Sequence, residues 1–169
     1  MPRAGARRSE SGFRFDAYPG RYMLQSIVGG GPSLYLDSVL LGDRDITMQE
    51  SEVTPAMPPF TVVLRSRGGT VTVTVNQHDV PGMVMLIPQE GRLRWEPFLR
   101  RSMQSAGGRW AFSNVPGDYY TLAIAGILRP EDAQDPALLE ALLPRAATIR
   151  VERGSTVTLA LLSVTPGAR

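Results

Sequence analysis

His78 is the single histidine of this 169-residue chain, and Asp79 follows it. A Ser-His-Asp relay would also need a positioned serine, and the Gly-x-Ser-x-Gly elbow that aims one occurs nowhere. Metal chemistry finds as little to build on. With one His and no Cys, a tetrahedral nitrogen and sulfur site lacks ligands. Asp43 and Asp45 supply two carboxylates of a calcium loop without its further oxygens or closing Glu, so they read as a solvated turn. The Gly29-Gly30-Gly31 run has neither a Lys after it nor a helix signal, so it does not read as a phosphate cradle. No catalytic residue, cofactor or metal is expected.

An aromatic cluster remains. Trp95 and Phe98 stand among Arg92, Arg94, Glu96 and Arg100. An aromatic face ringed by polar groups suits a sugar or a peptide, which makes Trp95, Phe98, Arg94 and Arg100 a candidate ligand platform. The plainer alternative makes them loop aromatics that cover the end of a sheet stack.

Charge narrows the partners. All 18 basic residues are Arg, they are spread among 16 acidic residues, and the net charge is +2. No stripe of basic residues interleaved with aromatics occurs, so nucleic acid is not an expected partner despite the sequence pI of about 9.4. The absence of Cys excludes disulfides and thiolate catalysis. No run of about 18 apolar residues could span a membrane as a helix. Arg7-Arg8 is followed by Ser9-Glu10-Ser11-Gly12 rather than an apolar stretch, so no signal peptide is readable.

The elements that must position these residues are mostly strands, because short alternating apolar runs end in Gly, Pro and Asp turns. Phe13–Phe15 is predicted to pair with Tyr22–Val28 across Tyr18-Pro19-Gly20-Arg21. Leu34, Leu36, Ser38 and Leu40 are placed on one face of the next strand, with Tyr35, Asp37, Val39 and Leu41 on the other. Residues 50–59 read as a surface connection. Thr70-Val71-Thr72-Val73-Thr74-Val75 alternates with Val inward. Met83–Ile87 reads as a buried strand, and a further strand starts near Leu99. Trp110 and Phe112 alternate ahead of Val115-Pro116-Gly117-Asp118, and Tyr120, Leu122 and Ile124 alternate after it, which predicts a hairpin. A second, closing hairpin is predicted around Arg153-Gly154, from residues 148–152 and 156–164. The one helical signature is Asp135 as N-cap, Pro136 at the first position, Leu138/Leu142 and Leu139/Leu143 pairs, and Pro144 as stop.

Phe15, Pro19, Gly20 and Tyr22 recur at a constant offset as Phe112, Pro116, Gly117 and Tyr119. This predicts two related modules joined near Arg65-Ser66-Arg67-Gly68-Gly69, with a tyrosine hydroxyl bonding backbone at each corner. The second module resembles the carboxypeptidase regulatory-like domain, a transthyretin-like or prealbumin-like β-sandwich. The residues that carry the likeness are 80–88 (Val-Pro-Gly-Met-Val-Met-Leu-Ile-Pro), Gly108-Arg109-Trp110-Ala111-Phe112 with residues 115–119, and Val151-Glu152-Arg153-Gly154 with the strand after it. Ser105-Ala106-Gly107-Gly108 stands where the family carries an Asp-containing turn. The His and Arg pattern of the transthyretin-like hydrolases is missing, and without Lys no Lys–Asn isopeptide bond can form.

The expected fold is therefore all-β: an antiparallel Ig-like or prealbumin-like sandwich with one short helix near residues 135–143. Residues 1–11 are expected as a mobile tail, 12–66 as a partial module lacking its N-terminal strands, 67–164 as the family-like sandwich, and 165–169 as tail. A partial module exposes apolar surface, so residues 12–66 should pack on the second module or recruit strands from another copy, making a homo-oligomer. The resemblance implies a noncatalytic spacer, scaffold or adhesive unit at the C-terminal end of a longer extracellular or cell-envelope protein. A carbohydrate- or peptide-binding module is the alternative.

Overall fold

The computed structural model describes residues 6–9, 12–15, 18–23, 33–76, 82–103, 108–129 and 131–165. These residues form mostly β-strands, in antiparallel and mixed sheets, with one short α-helix. In chain order the strands are β1 (Ala6–Ser9), β2 (Gly12–Phe15), β3 (Gly20–Tyr22), β4 (Leu34–Leu41), β5 (Arg44–Asp45), β6 (Ser51–Val53), β7 (Phe60–Ser66) and β8 (Gly69–Val75). Then come β9 (Gly82–Pro88), β10 (Arg100–Ser102), β11 (Arg109–Val115), β12 (Gly117–Ala125), the helix α1 (Pro136–Leu142), β13 (Ala147–Val151), β14 (Thr156–Leu161) and β15 (Ser163–Val164).

Two sheets share one apolar interior. One has the order β10-β9-β12-β13, with β15 also on β12; the other has the order β11-β8-β14. Val71 and Val73 lie at the centre of the second sheet. Phe112 and Trp110 stand opposite them on β11, and Val157 and Leu159 stand opposite on β14. Such aromatic and β-branched neighbours stabilise a sheet pair by pair. From the first sheet Val84, Leu86, Tyr119, Ala123, Ile149 and Val151 close the same core.

The Val-inward reading of residues 70–75 holds, although Thr72 on the other face is also buried. Met83, Met85 and Ile87 point the other way, into a second core under α1. This explains why β9 reads as an unbroken apolar run, since a strand covered on both faces has no wet side to mark. The helix forms as its signature predicts. The Asp135 carboxylate accepts the Ala137 N–H at 2.9 Å, Pro136 opens the first turn, and Leu139 and Leu142 are buried.

Several expectations need correction. The sheets are not all antiparallel, because β14 runs parallel to β8 and β15 parallel to β12. Neither predicted hairpin exists: β11 pairs with β8 while β12 pairs with β9 and β13, so residues 115–117 carry the chain from one sheet to the other. Residues 151–156 likewise cross from β13 to β14. A turn motif between two alternating runs does not record whether the runs pair with each other.

Within the stretch expected as a tail, Ala6–Ser9 pair with Gly12–Phe15. Gly20–Tyr22 pairs not with that strand but with Ser51–Val53, inside the stretch taken as a surface connection. The alternation assigned to β4 fails at a bulge between Leu36 and Ser38. The extra residue shifts the phase, so Leu36, Val39 and Leu41 share the apolar side.

A three-stranded sheet, β5-β4-β7, carries a third small core of Leu36, Val39, Ile46 and Met48. Phe98 and Leu93, from the loop after β9, complete it. Among residues 12–66, Leu36, Val39, Ile46 and Met48 thus pack on residues of the part expected as the second module. The boundary between the parts is pinned rather than loose. A Cβ added to Gly68 would meet the Cα and carbonyl carbon of Asn114 at 2.6 Å, so only glycine allows this approach.

Candidate functional site

The loop from Pro88 to Ser102 holds every residue of the candidate platform. It is wound tightly by its own backbone: Leu93 N–H bonds Glu90 O, Arg94 N–H bonds Gly91 O, and the N–H groups of Phe98 and Leu99 both bond Trp95 O at 2.9 Å. The Glu96–Pro97 peptide bond is cis. Winding of this kind aims neighbouring side chains in different directions, and the four candidates separate.

Trp95 is 42% exposed, whereas Phe98 is 5% exposed and sits in the small core beside Leu36 and Val39. Arg94 bonds the carbonyls of Pro88 at 3.2 Å and Gln89 at 3.4 Å and the Glu140 carboxylate of α1 at 2.5 Å. Arg100 reaches from β10 to the opposite sheet, donating to Ser113 O at 2.6 Å and Asn114 O at 2.7 Å. No joint platform forms. Phe98 fills the small core under β4, and both arginines bond carbonyls.

The Arg100 bonds answer a specific need. β11 carries a bulge between Phe112 and Val115, and Asn114 adopts φ 55° there. Carbonyls displaced from the β8 ladder must find donors, and the guanidinium fork supplies two at once. Burial pulls Arg100 below its usual guanidinium range, with Tyr119 opposing more weakly. Burial also pushes the Tyr119 hydroxyl up to about 12, with Arg100 nearby acting in the other direction.

Arg92 stands outside the platform proposed from sequence, although it flanks Trp95 there. It donates to Thr47 O at 2.9 Å and Asp45 Oδ2 at 3.0 Å, and also to Glu90, which fastens the loop to the turn after β4. Asp45, weighed above as half of a calcium pair, instead accepts Thr47 N–H at 2.8 Å and Thr47 Oγ1–H at 2.6 Å. Burial pushes its carboxyl up, but the bonds from Arg92 and Thr47 outweigh that and hold it at about 2. The only sequence signal was the acidic turn itself; its counter-ion lies far along the chain. Among the described residues no group of three or more His, Cys, Asp or Glu could hold a metal. His78 lies outside the described residues, as do Gly29-Gly30-Gly31.

A cleft of about 470 Å³ opens between β4 and the crossover from β11 to β12. Its apolar wall includes Tyr35, Leu36, Leu93, Phe98 and Pro116, and Asp37, Glu90, Asp118 and Arg153 add charge. Asp37 is bonded to Arg65 at 2.7 Å and Glu90 to Arg92, while Asp118 stands 3.9 Å from Arg150. A concave apolar surface with a few polar groups suits non-covalent recognition. The corner tyrosines differ in setting. Tyr22 bonds Tyr18 O at 3.0 Å at the surface, whereas Tyr119 is 2% exposed inside the main core. The matched spacing therefore does not mark equivalent corners.

No family model matches the chain, and no curated protein matches it. Among solved structures, the Bacillus anthracis TIE protein is similar over 89% of this chain and 35% of its own, with 14% identity and a TM-score of 0.36. The chain thus spans about a third of that protein's length. Among the described residues no helix is long and apolar enough to cross a membrane.

Two outcomes test the geometry. Replacing Arg100 with Ala should lower the unfolding free energy by roughly 3 kcal/mol, within the range for hydrogen bonds from a charged donor. Arg100→Lys should recover only part of it, because an ammonium lacks the planar fork; urea denaturation reads both. Asp45 has a folded pKa of about 2 against about 3.9 unfolded. Its contribution is complete above the unfolded value and is lost as pH falls through the folded one. The wild type should lose stability between about pH 4 and pH 2 more steeply than Asp45→Asn, and equal slopes would contradict the Arg92 and Thr47 contacts.

Proposed function

We propose that this chain is a noncatalytic β-sandwich module, of the Ig-like and carboxypeptidase regulatory-like or prealbumin-like kind, belonging to a secreted or cell-envelope protein. It serves there as spacer, scaffold or adhesive unit. The observation that carries this reading is the use made of the loop after β9. Arg92, Arg94, Phe98 and Arg100 each fasten one part of the fold to another. A loop in which these four side chains are taken up by internal contacts suits a structural role better than a catalytic one. The family reading is supported by where its motif residues fall: the Gly-aromatic strand β11, the Pro-Gly crossover, and the turn at Arg153-Gly154 all bound the two sheets around one interior.

The experiment is surface proteolysis of intact source cells, followed by detection with an antibody to this chain. Loss of the antigen on protease addition, or its presence in the medium, is the expected result. Recovery only from the soluble lysate of protected cells would overturn the placement.

Trp95 favours a second reading, binding of a carbohydrate or a peptide, because this large side chain stays 42% exposed in the loop whose Leu93 and Phe98 line the cleft. Glycan and peptide arrays probed with wild type and Trp95→Ala separate the two. The module reading expects both proteins to be silent, whereas a wild-type signal lost in Trp95→Ala would replace it with the binding reading.

A further inference from the structure

Strand β14 is an edge without the usual protections. Among the described residues its one sheet neighbour is β8. Other edges are guarded. β10 is three residues long with two arginines, β11 is broken by its bulge, and β7 and β13 carry Arg65 and Arg150. β14, Thr-Val-Thr-Leu-Ala-Leu, has no charge, no Pro and no bulge. Native edges normally use one of these devices to prevent pairing.

The backbone direction of the edge follows from two bonds. Ser155 O accepts Thr70 N–H at 2.8 Å and Leu161 O accepts Asn76 N–H at 3.1 Å, so odd-numbered residues face β8. Thr156, Thr158 and Ala160 therefore present N–H and C=O outward. Their side chains are exposed, while Val157, Leu159 and Leu161 are only partly buried against the main core. Leu162, just beyond, is 69% exposed.

We propose that this edge is a homodimer interface, in which the β14 strands of two copies pair antiparallel about a two-fold axis at Leu159. That axis sets Leu159 opposite itself and Val157 opposite Leu161, all on the core side. It also sets Thr158 opposite Ala160 and Thr156 opposite Leu162, so outward-pointing backbone groups meet one another. A centre between two residues would instead oppose a core face to a wet face. The occupant is a second copy because the edge is self-complementary. An identical neutral strand brings no like-charge repulsion, the net charge of +2 is small, and identical apolar residues extend the half-covered row. This inference does not depend on the module reading.

Sedimentation velocity of the full chain over a concentration series tests it. Wild type should show a concentration-dependent dimer. Thr158→Lys, which places a charge on the exposed edge, should be monomeric across the same series, with an unchanged circular dichroism spectrum and the melting temperature that the wild type shows when diluted to monomer. Thr158→Pro removes an outward N–H and no β8 bond, and should behave alike; if it fails to fold, Thr158→Lys decides. With no native Cys, oxidised Leu159→Cys should cross-link to itself, since a non-hydrogen-bonded antiparallel pair brings the two residues close. A wild type that stays monomeric at every concentration, or a dimer that persists in folded Thr158→Lys, overturns the proposal.

Discussion

The bulge at Ser113 and Asn114 is the constraint on which the two-sheet arrangement rests. It turns backbone carbonyls away from the β8 ladder at the point where the chain must leave one sheet for the other. A carbonyl left without a donor costs about 1–3 kcal/mol where water is excluded, and less at the exposed Ser113 than at the half-buried Asn114. Arg100 answers both from the opposing sheet, at 2.6 and 2.7 Å. Its own burial is unfavourable, as the downward pull on its pKa shows. The cost of burying the guanidinium is offset by its two charge-assisted bonds to these carbonyls. The same bulge receives Gly68 in close contact, which fixes where the N-terminal part of the chain enters.

A different balance governs the junction between the β5-β4-β7 sheet and the loop after β9. Two kinds of contact hold it: Phe98 in the small core, and Arg92 on Thr47 O and Asp45. Burying a phenylalanine stabilises by about 1.5–3 kcal/mol, whereas an exposed ion pair contributes roughly 0–1 kcal/mol. The aromatic ring therefore carries the docking. Arg92 sets its register, because a fork that must meet a carbonyl and a carboxylate together tolerates little sliding. Thr47 passes that register on, since its hydroxyl accepts the Val39 N–H of β4 at 2.8 Å.

What could be read in the sequence was local. Thr-Val alternation predicts β8 because a half-covered strand has a dry and a wet side, and Asp135-Pro136 predicts the start of α1 because a cap acts on its own first turn. The apolar run of β9 was legible for the same reason. What depended on distant partners was not. One inserted residue at Asp37 reverses the faces of β4, and nothing in the alternation announces it. The crossovers after Val115 and Val151 look like hairpin turns because the same glycines serve both. Phe98 and Arg100 looked like surface groups around Trp95, since the ring's pocket and the guanidinium's two carbonyls come from other parts of the chain. The matching Pro-Gly-x-Tyr spacings misled for the opposite reason: a short motif repeats a local turn without repeating its surroundings.

The crossovers also decide where the molecule is stiff. Val115 stands opposite Gly69, Gly117 opposite Val151, and Thr156 opposite Thr70. The passages between the two sheets after Val115 and Val151, and the junction from β7 to β8, thus lie at the same end. That end forms one wall of the cleft, through Val115, Pro116, Gly117 and Val151. A wall stitched by three chain passages cannot deform without breaking ladder bonds in both sheets, whereas the facing wall, Tyr35 to Asp37, belongs to the small sheet held by Phe98 and Arg92. Any change in the cleft's shape must therefore come from movement of the small sheet. The contacts that resist it are Phe98 and Leu93 in the small core, Arg92 on Thr47 O and Asp45, and the close approach of Gly68 to Asn114, none of them a continuous ladder like those of the main sheets.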